Sequence, residues 1–371
     1  MNLLKIVPKV TKYIIPTGIL QQTAFWARFK NSHGWQSMAF DIFEPDPQRF
    51  GFWEHTGDIL ILLKELQPGN MIAYAPYGPE IIPAEEMQGR WLENLAEELR
   101  KFLPETCFAI RFDLTWPSPW YNDNEDLHQG YGIWNDLPDT PVQEMRLNIG
   151  TKNWNLRKAP TNVLPSNTVI IPLDNKPENL LKRMKSKTRY NINLSSRKDI
   201  HIRTSDVSDL DAWFELYRQT TLRHGIAAEE REYFQKALTT PSEDTISPVD
   251  VHLLLAEKHG QPLAGMFLAL SGNRATYLFG ASASHHRDLM APYLLQWEAM
   301  MLSRENGCNE YDLFGISGSP DPAHPMYGLY RFKTGFGGDI RHQMGCWDYP
   351  LHKELYEGFR IVETVAVGYH G

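Results

Sequence analysis

The chain has 371 residues, of which 42% are hydrophobic and 22% charged, and its formal net charge is −8. This length predicts two domains with packed cores, and the composition excludes a disordered or low-complexity protein. The acidic balance excludes a general nucleic-acid binder, so that any contact with a nucleic acid has to be local.

The cysteines and the N-terminus bear on the cellular compartment. Cys107, Cys308 and Cys346 are odd in number and have no C-x-x-C spacing, which is typical of a reducing cytoplasm and offers neither a zinc site nor a disulfide framework. Lysines and a proline interrupt residues 1–18, which excludes a signal peptide. No apolar run approaches the ~20 residues that span a bilayer. We therefore expect a soluble cytoplasmic protein that can work at the inner face of a membrane.

Residues 18–30 predict a short helix with an apolar side. This helix carries Gln22, Trp26 and Lys30, and a Gly-Trp pair follows it. From the spacing alone, Lys30 is a solvated lysine on an amphipathic helix.

A helix and a strand follow in the next hundred residues. Residues 91–102 predict an amphipathic helix, and residues 108–113 predict a buried strand that ends at Asp113. This aspartate either pairs with Arg111 or binds and orients an amine. An ordinary aspartate is a weak base for an ammonium, so we favour amine binding over general-base catalysis.

Residues 116–134 predict a loop that carries five large aromatic side chains: Trp116, Trp120, Tyr121, Tyr131 and Trp134. These rings can stack on a sugar or a nucleobase, enter a membrane interface, or pack on their own domain. The sequence leaves these alternatives open. A polar, proline-containing stretch then ends at Pro165, where we place a domain boundary.

The stretch 180–203 is the one strongly basic segment of an acidic chain. Its centre contains Lys185, Lys187 and Arg189. A basic helix end of this kind either contacts the phosphate backbone of a nucleic acid or forms a solvated helix face. Both interpretations stay open.

The second half of the chain predicts the order strand, strand, strand, helix, strand, over residues 251–257, 262–270, 274–281, 293–306 and 311–315. This order is typical of one half of a GNAT-like α/β fold. A CoA-dependent GNAT enzyme needs a glycine-rich turn at the N-terminus of the helix, where backbone N–H groups reach the pyrophosphate. The turn here contains a proline and no glycine, so we do not expect CoA as a cofactor. The adjacent His285 and His286 lack a third ligand, so we expect no metal site there.

The segment 327–338 places Lys333 between Phe332 and Phe336 and beside three glycines. The stem of a lysine so flanked can pack on the rings while its ammonium faces a developing negative charge. Lys333 is therefore the candidate for stabilising an oxyanion. We find no Ser-His-Asp or Cys-His signature that demands a covalent enzyme intermediate.

The sequence YDLFGI from Tyr311, followed after a loop by GLYRFKTGFGG from Gly328, resembles the C-terminal signature of the FemABX family. The likeness extends to Q-x-x-x-W-A-x-x-K, which ends at Lys30, and to K-x-R-Y-N-I, which begins at Lys187. Members of the family are non-ribosomal peptidyltransferases that move an amino acid from aminoacyl-tRNA to the stem peptide of a peptidoglycan precursor.

The resemblance implies an α/β fold of two GNAT-like domains, the second inserted into the first. The expected domains are residues 1–165 with 341–371, which bind the precursor, and residues 166–340, which hold the aminoacyl-tRNA side and the catalytic lysine. The chain runs straight on after Gly225 and leaves no room for the coiled-coil arm of some relatives.

The resemblance also implies roles for individual residues. The catalytic candidates are Lys333, Phe332 and Asp113. The substrate-binding candidates are Lys30 for precursor phosphate, Tyr233 and Tyr277 for the substrate channel, and Arg231. Arg231 is the nearest substitute for a phosphate-binding arginine that relatives place about where Glu229 stands. The tRNA-binding candidates are Lys185, Lys187 and Arg189.

The expected partners are aminoacyl-tRNA and a peptidoglycan precursor, either UDP-MurNAc-pentapeptide or lipid II. The expected reaction is attack by a stem-peptide amine on the ester carbonyl of aminoacyl-tRNA, by a monomer, with neither cofactor nor metal. The rival functions are a CoA-dependent N-acyltransferase and a non-catalytic binding module on the same scaffold.

Overall fold

A computed structural model of the chain describes residues 4–121, 137–173, 176–225 and 227–368. It divides into two compact units. The first comprises Met1–Ile15, Gln21–Ser166 and His342–Gly371, and the second comprises Pro16–Leu20 and Asn167–Arg341. The predicted aromatic loop runs into residues 122–136, so Tyr131 and Trp134 lie outside the described residues.

Strands and helices alternate along much of the chain. The strands are β1 (Lys5–Lys9), β2 (Gln36–Pro45), β3 (Trp53–Gln67), β4 (Asn70–Ala75), β5 (Cys107–Pro117), β6 (Arg157–Lys158), β7 (Asn167–Pro172), β8 (His201–Ser205), β9 (Val249–Lys258), β10 (Gln261–Ser271), β11 (Arg274–Ser282), β12 (Glu310–Gly315) and β13 (Asp339–Pro350). The helices are α1 (Ala24–Asn31), α2 (Gln88–Arg100), α3 (Thr140–Asn148), α4 (Pro177–Arg183), α5 (Ser186–Arg197), α6 (Leu210–His224), α7 (Arg231–Thr239), α8 (Ala291–Glu305), α9 (Tyr327–Lys333) and α10 (Lys353–Gly368).

The first unit is built on a sheet in the order β1–β2–β3–β4–β5–β13, in which β4 and β5 run parallel and the other neighbours antiparallel. Apolar residues recur on one side of α2 at helical spacing, and Trp91, Leu95 and Leu99 bury this side in the core of the unit. Strand β5 is buried along almost its whole length, which explains its continuous apolar sequence.

The second unit is built on a sheet in the order β7–β12–β11–β10–β9–β8, in which β11 and β12 run parallel. Helices α5 and α8 bury residues in one core cluster with the even-numbered residues 264–270 of β10. On the other face, Trp213 of α6 and Phe234 of α7 pack against Phe267. Each face of this sheet is therefore covered by helices.

Two predicted elements differ from the structure in ways that matter for the site. The predicted helix 18–30 is a short 3₁₀ turn followed by α1, because Thr23 accepts a hydrogen bond from the N–H of Trp26 and caps a new helix. The strand predicted to end at Asp113 continues to Pro117, because β13 pairs with it over this length. Trp116 consequently lies fully buried in a strand and not in a loop.

Among the described residues, no helix has both the length and the apolar composition that a membrane crossing requires. The same ranges contain no coiled-coil arm, since α6 ends at Gly225 and the next helix has only 9 residues.

Candidate functional site

Lys333 is the last residue of α9 and is almost completely buried, with 5% of its surface exposed. Its ammonium donates a hydrogen bond of 2.7 Å to the backbone carbonyl of Gly315, at the end of β12. It also lies 5.4 Å from the centre of the Tyr277 ring. An ammonium has three donors, and Lys333 uses one of them within the described residues.

The Gly315 carbonyl is presented by an irregular turn of β12. The register between β12 and β7 breaks between Asp312 and Gly315, and Phe314 has a φ of +61°, which a residue with a Cβ rarely adopts. Oδ1 of Asp312 accepts hydrogen bonds from the Phe314 N–H, at 2.7 Å, and from the Thr168 hydroxyl. The carboxylate therefore holds the conformation that brings the Gly315 carbonyl to Lys333.

The electrostatics of this cluster are set mainly by burial. Removal from water lowers the pKa of Lys333 to about 7, and the charge of Asp312 opposes this shift. Burial also raises the pKa of Asp312, although its hydrogen bond from Thr168 and the charges of Arg274 and Lys333 oppose that change. Lys333 therefore changes between its protonated and neutral forms near neutral pH, which suits a group that stabilises charge or transfers a proton.

Aromatic rings pack beside Lys333. Phe332 lies edge-on to Tyr293 at 5.0 Å and to Phe336 at 5.2 Å. The following turn is held by α5, because Lys185 donates its N–H to the Gly335 carbonyl at 2.9 Å. A Cβ at position 335 would lie 2.4 Å from the hydroxyl of Thr188, so this approach requires glycine. The start of α5, which carries K-x-R-Y-N-I, thus packs directly on the segment GLYRFKTGFGG.

Tyr277 and Tyr233, both expected in the substrate channel, lie on opposite faces of the sheet. A bulge in β11 makes Tyr277 pair with Leu268 and Phe279 pair with Phe267. Leu268 belongs to the core beneath α8, so Tyr277 is on the side of Lys333, and burial raises its pKa to about 12. Tyr233 lies edge-on to Phe279 at 5.9 Å, on the side of α6 and α7. The structure therefore brings together Lys333, Phe332 and Tyr277 and leaves Tyr233 apart.

Arg231 is the first residue of α7 and is engaged within the fold. It forms an ion pair with Asp211 of α6 and donates a hydrogen bond of 2.9 Å to Gln235. Glu229, which stands about where relatives place a phosphate-binding arginine, is exposed, and its N–H donates a hydrogen bond of 3.1 Å to the Tyr217 hydroxyl. A phosphate at this place would have to compete with Asp211 for Arg231.

The basic stretch separates into two kinds of residue. Lys185 and Lys187 are exposed at the start of α5. Arg189 is half-buried and donates to the carbonyls of Leu181 and Met184, at the end of α4. Arg189 thus donates to helix-end carbonyls, whereas the side chains of the two lysines are exposed.

In the first unit, Asp113 is fully buried near the middle of β5. Its Oδ2 accepts hydrogen bonds from the Tyr74 hydroxyl at 2.8 Å and from the Leu164 N–H at 3.1 Å. Its Oδ1 has no hydrogen-bond partner within the described residues. Burial raises the pKa of Asp113 to about 6, and these two hydrogen bonds, a contact from the Cys346 thiol and the charge of Lys158 oppose the shift. A buried carboxylate with one unused oxygen is suited to receive an N–H donor.

The alternative pairing of Asp113 with Arg111 is wrong. Arg111 instead forms a bidentate pair with Asp348, at 2.7 and 2.8 Å, and a second pair with Glu363 of α10. These buried contacts tie α10 to β5 and β13. Arg111 therefore belongs to the framework that holds the C-terminal helix.

Lys30 is half-buried in the last turn of α1, with its ammonium 5.0 Å from the Trp26 ring and 5.5 Å from the Phe29 ring. Its carbonyl accepts the N–H of Trp35 at 3.2 Å, and the Trp35 ring lies 6.2 Å from that of Tyr74. Trp35 and Tyr74 thus connect the backbone of Lys30 to Asp113, because the Tyr74 hydroxyl donates a hydrogen bond to the Asp113 carboxylate.

Two residues that the sequence did not single out contribute to these sites: Lys158 and Asp312. Lys158 is a half-buried lysine whose ammonium donates to the carbonyls of Met344 and Cys346, and burial lowers its pKa although the charge of Asp113 opposes this. Asp312 stands next to Tyr311 in the YDLFGI motif, so the motif itself was the available signal. For Lys158 the contacts are too distant in sequence to be read from a pattern.

One group of carboxylates and a histidine has the spacing of a metal site: Asp41, His55 and Asp58. Lys9 donates to both carboxylates at 2.7 Å, so an ammonium already provides the positive charge between them. His55 lies within 3.1 Å of the same two groups. This group is a structural ion-pair cluster of β1, β2 and β3.

The comparisons with known proteins concern nearly the whole chain. The FemAB family model matches residues 12–249 and 251–364. A lipid II:glycine glycyltransferase of Staphylococcus haemolyticus is 23% identical over 411 residues, which cover 94% of this chain and 91% of that protein. A protein of the same name from Staphylococcus epidermidis is 24% identical over 261 residues, 55% of this chain and 62% of its own.

Among solved structures, the crystal structure of FemX matches with a TM-score of 0.72 and 20% sequence identity, over 94% of this chain and 96% of the other. This likeness confirms the predicted fold of two GNAT-like α/β domains. At this identity it carries no residue roles.

Proposed function

The chain belongs to the FemAB family, and we propose that it transfers an amino acid from aminoacyl-tRNA to the stem-peptide amine of a peptidoglycan precursor. The observation that carries the proposal is the buried Lys333, whose ammonium donates to one backbone carbonyl and lies 5.4 Å from the centre of the Tyr277 ring. Such a residue costs folding free energy, which is expected where a charge is used in catalysis.

The chemistry that we propose is aminolysis of an activated ester. The acceptor amine forms a C–N bond to the ester carbonyl, and the carbonyl oxygen becomes an oxyanion. The C–O bond to the ribose then breaks, the amine loses a proton and the ribose oxygen gains one. No covalent enzyme intermediate is required, so the protein has to position the amine and stabilise the oxyanion.

In this proposal Lys333 performs the second task. Its donors that are not bound to Gly315 can face the oxyanion, and burial strengthens the interaction because water does not screen it. Since the pKa of Lys333 is lowered to about 7, the protonated lysine can also give up a proton to the departing ribose oxygen at low cost.

Asp113 is proposed to bind the acceptor amine through its Oδ1. Tyr74 and the Leu164 N–H both donate to Oδ2, which fixes the orientation of the carboxylate. The position of Oδ1, which has no hydrogen-bond partner among the described residues, is thereby fixed as well. Lys30 is proposed to hold a precursor phosphate, and Lys185 and Lys187 the tRNA backbone. These roles follow from the expected motif matches and from the exposure of the two lysines on α5.

The acceptor is proposed to be lipid-linked, because the relatives above are named for lipid II. Such an acceptor would bring the protein to a membrane surface. At the tip of the β2–β3 hairpin, Phe50 is 92% and Phe52 60% exposed, and the guanidinium of Arg49 lies 5.3 Å from the Phe52 ring. Aromatic rings beside a cation suit the boundary of lipid headgroups and acyl chains.

A transfer assay tests the proposed function. A panel of charged tRNAs, beginning with glycyl-tRNA, is incubated with the protein and with either lipid II or UDP-MurNAc-pentapeptide, and the product is identified by mass spectrometry. We expect one amino acid to be added to the stem peptide of lipid II. Turnover of acetyl-CoA instead, or precursor binding without transfer from any charged tRNA, would contradict the proposal.

A further inference from the structure

We propose that Asp312 is the positioning residue for Lys333: it holds the turn whose Gly315 carbonyl receives the ammonium, and it supplies the negative charge that faces it. This inference rests on the proposed function, in which Lys333 touches the reacting ester. Asp312 itself is buried and lies on β12.

The first part of the role is geometric. Asp312 pairs with Ile170 of β7, and regular pairing resumes at Gly315, opposite Thr168. In the interval Phe314 takes a left-handed conformation, and its N–H bonds to the Asp312 carboxylate instead of to β7. This hydrogen bond fixes the Phe314 N–H at the break in the pairing of β12 with β7. A relaxed, extended Phe314 would turn the Gly315 carbonyl away from Lys333, because successive residues of a strand point in opposite directions.

The second part is electrostatic. Lys333 is removed from water, and Asp312 is the acidic group that acts on its ammonium. The other titratable groups around the pair are Tyr277 and Arg274 on β11, Tyr311 on β12, Tyr293 on α8 and Tyr330 on α9. Arg274 is itself paired with Glu310. Asp312 is therefore the group that keeps a buried lysine able to hold its proton.

Two substitutions separate the charge of Asp312 from its hydrogen bond with Thr168. Asp312→Asn removes the charge and keeps an oxygen for the Phe314 N–H. Thr168→Val removes the other hydrogen-bond partner of the carboxylate and keeps the charge. If Asp312→Asn does not fold, the double substitution Asp312→Asn with Phe314→Gly provides a second test, because glycine adopts the left-handed conformation without strain.

The readout is the protonation of Lys333 itself, followed by NMR on protein with ¹³C-labelled lysine and assigned with Lys333→Met. We expect Asp312→Asn to lower the midpoint of the Lys333 titration by about one pH unit or more, a tenfold or greater loss in proton affinity. Thr168→Val should change it less. An unchanged midpoint in Asp312→Asn would overturn the inference.

Transfer activity separates this inference from the proposed function. If the wild-type protein transfers an amino acid and Asp312→Asn does so with the same rate and the same pH profile, Asp312 has no positioning role and the proposed function stands. If no charged tRNA is used but the Lys333 midpoint falls in Asp312→Asn, the inference about the pair stands and the proposed function fails.

Discussion

Lys333 and Gly315 are joined by a hydrogen bond of 2.7 Å from a buried ammonium to a backbone carbonyl. A carbonyl accepts a proton-bearing donor in either protonation state of the lysine, so this contact orients the amine without fixing its charge. The protonation state of Lys333 therefore depends on the pH, on the charge of Asp312 and on the presence of an oxyanion.

The pH dependence of transfer follows from this arrangement. If protonated Lys333 and a neutral acceptor amine are both required, log kcat/KM should rise with a slope of one up to about pH 7 and then level off. Above the pKa of about 7, loss of the lysine proton cancels the gain in neutral amine. Lys333→Arg keeps its charge, so its profile should continue to rise past this point. A slope of two below pH 7 would instead indicate that neutral Lys333 acts as a base.

Asp113→Asn should reduce transfer and at the same time stabilise the protein at neutral pH. The folded-state pKa of about 6 lies above the ordinary aspartate pKa of 3.8, so the folded state loses stability as the pH rises between these values. Above pH 6 the substitution should therefore raise the free energy of unfolding by up to about 3 kcal/mol, and at pH 4 by much less. Thermal unfolding at both pH values measures the difference.

Asp348→Asn is the matched control for this prediction. It also replaces a fully buried carboxylate of the first unit, but leaves Arg111 without its bidentate partner. It should destabilise the protein by about 3–5 kcal/mol. If both variants lose stability at pH 7, Asp113 is a structural residue like Asp348.

The order of strands and helices predicted one GNAT-like half from local patterns, and the family resemblance implied the fold of two such domains, which the likeness to FemX confirms. Lys333 was selected from its aromatic neighbours and its motif, and its catalytic role stays a prediction. The sequence correctly placed Asp113 in a buried strand, but at the end of that strand. In the structure β5 continues to Pro117, because it pairs with β13, which lies more than two hundred residues later in the chain. Tyr277 and Tyr233 looked equivalent because a single-residue bulge in β11 has no clear signature in sequence.

Within the centre of the basic stretch, Lys185 and Lys187 should contribute to tRNA binding and Arg189 should not. Replacing Lys185 and Lys187 with alanine should weaken the affinity for charged tRNA and flatten its dependence on salt by about two ion contacts. Arg189→Ala should lower the free energy of unfolding, because the end of α4 loses its donor. Filter binding at several salt concentrations checks the first part, and an unchanged slope would assign the lysines to a solvated face.

The β2–β3 hairpin should bind membranes. Phe50→Ser should reduce co-sedimentation with vesicles that contain lipid II, because an exposed ring is lost from the tip. Leu222→Ser on α6, where the leucine is 76% exposed, is the matched control and should have no effect. Equal sedimentation of the wild type and Phe50→Ser would place membrane contact elsewhere.

The most direct test of the central claim is the single-turnover rate of Lys333→Met, measured with labelled aminoacyl-tRNA and precursor at saturating protein. Methionine retains most of the stem and its packing but has no charge. Because the charge acts mainly on the transition-state oxyanion, we predict a rate lower by about 10²–10³, with the affinities for both substrates nearly unchanged. Lys152→Met, at an exposed lysine of the first unit, controls for the substitution. A near-normal transfer rate in Lys333→Met would contradict the account.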